Sequence, residues 1–155
     1  MKLRNIFIIS LLIILNSCGF KAVNQNYFKD YRLIETNVTG DSRISYLIKN
    51  HLKFGDKNSN KSIKLDIKTT NIKQISERNI QNEITKYNIS INAKINFYFV
   101  EDGISGEFQI TKSGNYDVSD SYSTTLTREK SVIKNLVKHI SDQVIKNLQI
   151  KLNEF

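Results

Sequence analysis

Few side chains in this chain of 155 residues are suited to covalent, acid-base or metal chemistry: one cysteine, Cys18, and two histidines, His51 and His139, with Glu101-Asp102 the one adjacent pair of carboxylates. A nucleophile needs a base within hydrogen-bond reach, and a zinc site needs three or four convergent ligands. His51 and His139 fall at the polar-apolar borders of two different predicted helices, and Glu101-Asp102 falls in a turn, so no acid-base constellation forms. The six glycines stand beside Cys18 and at turns rather than in a phosphate-cradling motif. Catalysis, metal and cofactors are not expected, and the chemistry that remains centres on Cys18.

Cys18 stands where an aliphatic run stops. Lys2 and Arg4 precede Ile6 to Leu15, in which Ser10 alone is polar, and Asn16 and Ser17 follow. A basic n-region, a short apolar h-region and small residues make up a secretory signal. The run is too short for a transmembrane helix, which needs about 20 apolar residues. Leu15-Asn16-Ser17-Cys18 resembles the lipobox of bacterial lipoproteins, with Asn16 a mild departure. The resemblance implies removal of residues 1–17 and a mature chain that begins at Cys18, with diacylglycerol on its sulfur and a fatty acyl group such as palmitate on its amine. Two or three acyl chains make a stable anchor where one is marginal. Gly19, rather than an aspartate, resembles outer-membrane cargo. With its thiol lipidated the chain has no disulfide, cysteine zinc site or cysteine nucleophile.

Charge discriminates less. Lys+Arg 23 against Asp+Glu 15 gives +8, but the basic residues are dispersed and no aromatic-laced basic stripe marks a nucleic-acid surface. Three Asn-X-Ser/Thr sequons are what chance delivers in a chain with 18 asparagines.

The elements that would carry any site follow from periodicity. Residues 18–30 read as a lipidated N-terminus and tether, with scattered aromatics Phe20, Tyr27 and Phe28, and residues 31–155 as one domain. Tyr31 to Val38 has strand character. Asp41 can cap a helix bearing Ile44, Leu47, Ile48 and Leu52, with Gly55 as its C′ stop. Ile63, Leu65 and Ile67 alternate with Lys64, Asp66 and Lys68, and the parity break at Ile72 predicts a bulge or frayed end near Thr70. Tyr87 to Phe99 alternates over a long strand whose outward face is Asn88, Ser90, Asn92, Lys94, Asn96 and Tyr98. A further strand spans about Gly106 to Lys112, ended by Ser113-Gly114-Asn115. A Ser/Thr/Asp-rich stretch then leads to a last helix capped by Thr127, with Glu129 in its first turn and Ile133, Leu136, Val137, Ile140, Val144 and Leu148 on its apolar face. The order β-α-β-β-β-α predicts an α+β fold, with two helices packed on one face of a four-stranded, mainly antiparallel sheet.

A lipobox followed by Cys18-Gly19-Phe20, a strand, a helix, a long polar-faced hairpin and the terminal helix REKSVIKNLVKHISDQVIKNL resembles the lipopolysaccharide-assembly lipoprotein family over the whole mature chain. That family's members plug the lumen of a large outer-membrane β-barrel, help it assemble and assist lipopolysaccharide delivery. The resemblance implies the same outer-membrane address, domain on the periplasmic side or within the barrel, and the same barrel partner. Arg78-Asn79, on the tip SERNIQNE, resembles that family's basic hairpin tip, which implies lipopolysaccharide contact at Arg78, since guanidinium forks hold phosphate bidentately; Arg128 and Lys130 are weaker candidates. An alternative role for a small lipid-tethered domain is regulation of a periplasmic cell-wall synthase. No nucleic-acid partner is expected.

Overall fold

The computed structural model describes residues 28–154; residues 1–17, Cys18, Phe20 and Tyr27 lie outside them. Alternation dominates the sheet. In β2 (Lys61–Arg78) and β3 (Ile84–Phe99) the inward residues Ile63, Leu65, Ile67, Ile89, Ile91, Ile95 and Phe99 are all buried. The two strands pair antiparallel from Ile63↔Phe99 to Arg78↔Ile84, and β4 (Ile104–Asp117) pairs antiparallel with β3 along its whole length. The first strand, β1 (Tyr31–Gly40), pairs parallel with β2, giving the order β1-β2-β3-β4. A parallel neighbour needs a crossover, supplied by helix α1 (Ser42–His51). Helix α2 (Tyr122–Asn153) lies over β3 and β4 on the same side, so both helices cover one sheet face as predicted.

The turn from β1 into α1 is closed by short polar contacts. The Asp41 carboxylate accepts the Ile44 backbone N–H at 3.1 Å, the cap expected from sequence. Gly40 has φ +78, and its neighbour Asp41 donates its N–H to the Thr69 carbonyl at 2.9 Å. The Ser45 hydroxyl, fully buried, meets the Thr69 hydroxyl at 2.8 Å and the Thr39 carbonyl at 3.1 Å. Every buried side-chain polar atom among the described residues is hydrogen-bonded, as burial requires.

Several local expectations are corrected. Helix α1 stops at Leu52, whose N–H bonds the Ile48 and Lys49 carbonyls, so Gly55 is not its C′ residue; Gly55 instead sits tight against the Lys29 carbonyl, donating its N–H to Phe28 and Tyr31. There is no bulge near Thr70: β2 stays in register to Ile75, and the irregularities fall between Ile75 and Arg78. Ile72 simply faces outward, leaving the inward position to Lys73. Ser113-Gly114-Asn115 does not end β4, which runs to Asp117; Gly114 is a strand glycine because α2 passes so close that a Cβ there would lie 3.1 Å from the Val132 methyl. Thr127 does not cap α2, which begins at Tyr122 after Ser121, and Thr127 donates its hydroxyl to the Ser123 carbonyl inside the helix. Glu129 consequently lies in the second turn rather than the first. The opening turn has few apolar residues to reveal it, and Thr125 secures it by accepting the Ser119 N–H at 2.8 Å.

Phe28, from the segment read as tether, is buried in the core. It stacks on Phe99 at 6.1 Å and meets Tyr31 and Phe54 at 5.6 and 5.7 Å. The chain therefore enters the packed body at the end where β2 begins, β3 ends and α2 finishes.

Candidate functional site

The opposite end is built by the β2-β3 hairpin. β1 stops pairing at Gly40↔Thr69, so β2 beyond Thr69 has β3 on one side and a free edge on the other. At about 3.3 Å per residue, the 16-residue β3 carries the tip roughly 50 Å from the chain's entry point. The tip is shaped by Asn79, whose side-chain oxygen accepts the N–H groups of Gln81 and Glu83 at 3.0 and 2.9 Å, while Asn82 takes φ 65. Arg78 donates to the Asn82 carbonyl at 2.7 Å. Ile80, between them, is 98% exposed.

Arg128 donates to the Asp117 carbonyl at 3.2 Å. Asp117 is opposite Lys86, which pairs with Glu77 at 2.7 Å beside Arg78. The fold thus brings Arg78 and Arg128 to one end of the molecule. Lys130 is exposed two residues further along α2, without an ion pair among the described residues.

Beneath this end, on the inward face, lies a cluster the sequence reading missed. The Lys73 ammonium sits 4.4 Å from the Tyr87 ring centre and 5.4 Å from that of Tyr116, and bonds the Glu129 carboxylate at 2.7 Å. The Tyr116 hydroxyl donates to the same carboxylate at 2.7 Å, and the two rings stack at 5.6 Å. Burial opposes the Lys73 charge, but hydrogen bonds with Glu129 and Tyr116 outweigh it and push the ammonium up to about 12. Burial likewise opposes ionisation of Glu129, and Lys73 and Tyr116 reverse that, holding its carboxyl below the usual range. The one available signal was a lysine at an inward parity position. Because the folded carboxyl binds its proton more weakly than an unfolded one, the pair stabilises at neutral pH and that contribution fades as pH falls below 4.5. Glu129→Gln is therefore expected to lose less of its own stability than the parent on acidification, by a modest margin since the pair is partly exposed. Urea denaturation at pH 7 and pH 4 checks this.

At the entry end, Asp102 accepts from the Tyr31 hydroxyl at 2.8 Å and from Lys61 at 2.7 Å. The Lys61 bond holds the Asp102 carboxyl below its ordinary value, and the reciprocal bond pushes Lys61 up. Asp102 is thus a fastener, and its neighbour Glu101 accepts the Ser62 N–H. The His51 ring pairs through Nδ1 with its own helix's Leu47 carbonyl at 2.8 Å, and exposed His139 borders a shallow groove with Lys112, Asp142 and Lys146. Among the described residues no cluster of three His, Cys, Asp or Glu could hold a metal. No described helix is long and apolar enough to cross a membrane.

The uncovered sheet face is cross-linked by polar pairs. Asn88 donates to Asn115 at 2.6 Å, Asn92 to Thr111 at 2.8 Å and Asn37 to Asp66 at 2.9 Å. Lys64 pairs with Glu35 and Lys94 with Glu107. Lys86 pairs with Glu77 and reaches Asp117, so three of the lysines on this face are ion-paired, while Lys68 forms no ion pair among the described residues and Arg32 bonds the Ser62 hydroxyl and the Lys57 carbonyl instead.

No known family model and no curated protein sequence matches this chain. Solved structures do. The rare lipoprotein B from Shewanella oneidensis superposes with a TM-score of 0.55 at 7% identity, over 77% of this chain and 97% of that one. A lipoprotein from Caulobacter crescentus superposes with a TM-score of 0.57 at 9% identity, over 84% of this chain and 95% of that one. At such identities the likeness concerns the backbone path, and it spans nearly the whole of both relatives: the described body has the fold of these lipoproteins.

Proposed function

We propose that this chain is a non-catalytic outer-membrane lipoprotein, anchored through Cys18, that plugs and helps assemble the β-barrel delivering lipopolysaccharide to the cell surface. The observation that carries the proposal is the fold shared with rare lipoprotein B over 77% of this chain, joined to the lipobox and the element order that resemble the lipopolysaccharide-assembly lipoproteins. The uncovered sheet face supports it. Three of its lysines are ion-paired within the face and its amides bridge across strands, a polar, largely compensated surface of the kind that suits a wet lumen. The protruding tip offers Arg78 to a phosphate, with Arg128 at the same end and Lys130 close by in sequence.

A photo-crosslinking residue at Asn92 is the direct test. Recovery of a large β-barrel is expected; recovery of a peptidoglycan synthase without a barrel would establish the regulator role instead. Depleting the protein should mislocalise lipopolysaccharide. For the tip, Arg78→Glu is expected to weaken lipopolysaccharide binding about tenfold to a hundredfold, the worth of a charged hydrogen bond. Equal titration curves for the variant and the parent would remove Arg78 from the site.

A further inference from the structure

Among the described residues the surplus positive charge is concentrated on the helical side. The sheet face carries nearly equal numbers of cations and carboxylates, whereas the two helices carry eight Lys and Arg against two Asp and Glu. One of those two, Glu129, is already engaged by Lys73. Arg43 on α1, Lys53 just beyond it, and Lys130, Lys134, Lys138 and Lys146 on α2 are exposed and form no ion pair among the described residues. Lys130, Lys134 and Lys138 recur every four residues, a spacing at which like charges oppose helix formation. Asp142 is the one carboxylate in the continuing row to Lys146. A helix with this composition gains its stability from packing on the sheet and retains the repulsive row on its surface.

Exposed aromatics accompany the charge. Tyr46 on α1 is 52% exposed with Lys49 over its ring, and Tyr122 at the start of α2 is 80% exposed. Unpaired lysines interspersed with surface tyrosines match the headgroup zone of an anionic bilayer, where amphipathic rings settle and each nearby lysine adds attraction.

We infer that the helical layer docks on the phosphate headgroups of an anionic lipid bilayer, leaving the neutral sheet face turned away from it. The inference stands apart from the barrel role: it concerns the chain outside a barrel and is carried by the charge asymmetry and the exposed tyrosines. Such a basic surface adds electrostatic attraction to that of a lipid anchor and orients the body on the bilayer.

The test is sedimentation of the lipid-free mature chain from residue 19, which contains the entire packed body, with vesicles of phosphatidylcholine with and without phosphatidylglycerol. Binding is expected to require phosphatidylglycerol and to be released by salt. Lys130→Gln/Lys134→Gln/Lys138→Gln should weaken it on the order of a hundredfold, roughly fivefold for each lysine, while the corresponding Arg variant retains it. Lys64→Gln/Lys68→Gln/Lys94→Gln, on the sheet face, is the matched control and should bind as the parent does. All these side chains are solvent-facing, and an unchanged melting temperature confirms the fold of each variant. Binding without phosphatidylglycerol, no binding at all, or equal losses in the two glutamine variants would overturn the inference. So would undiminished vesicle binding by the helix variant alongside lost recovery of a protein partner, which would make the surface one for an acidic protein.

Discussion

Phe28→Ala is expected to lower the unfolding free energy by about 3–5 kcal/mol, the cost of emptying a fully buried aromatic site. Phe28 is 1% exposed, and its ring is held on three sides by Tyr31, Phe54 and Phe99. Its backbone carbonyl also accepts the N–H groups of Tyr31 and Gly55 at 3.1 and 2.9 Å. The side chain therefore anchors β1, the loop after α1 and the end of β3 together. A chain starting at Tyr31 should show at least the same loss, because it forfeits these carbonyl contacts as well. Urea denaturation of both against the chain from residue 19 checks this; a difference within about 0.5 kcal/mol, the range of ordinary surface changes, would return Phe28 to the tether.

Gly40→Ala should cost about 2–4 kcal/mol, from two sources that a second variant separates. At φ +78 any L side chain incurs about 1–2 kcal/mol of strain. A Cβ at Gly40 would in addition overlap the Thr69 carbonyl oxygen, which is the acceptor for the Asp41 N–H. Relieving that overlap breaks the joint between β1, α1 and β2, including the Ser45 and Thr69 hydroxyl pair beneath it. Gly103 has φ +68 but nothing within 4 Å of a Cβ, so Gly103→Ala reports the strain alone, about 1–2 kcal/mol. Equal losses in the two variants would show that the overlap is absorbed without disturbing the joint.

These positions mark where sequence periodicity stops being informative. Alternation in β2 and β3 and the apolar repeat of α2 specify faces, because a strand or helix must bury one side whatever its partner. The Asp41 cap was legible for the same local reason: the bond it makes reaches only three residues ahead. Element ends were not. α2 begins with an exposed Ser/Thr turn that buries little, and Gly114 resembles a strand terminator until Val132 is seen lying against it. The candidate site was legible in part. Arg78 on a hairpin tip can be read from turn composition, whereas the assembly of Lys73, Tyr87, Tyr116 and Glu129 joins three strands and a helix across 56 residues of sequence.

By itself the sequence determined the class and order of the elements, and it carries the lipobox resemblance at Leu15-Asn16-Ser17-Cys18. Each of these depends on residues near one another along the chain. Tertiary structure alone decided that Phe28 belongs to the core, that Asp102 clasps Tyr31 and Lys61, and that Arg78 and Arg128 share an end. It also decided that three lysines of the sheet face find carboxylates while the lysine row of the second helix does not. Cross-strand register pairs Lys64 with Glu35 and Lys94 with Glu107, and register is a property of the whole sheet that no single segment carries.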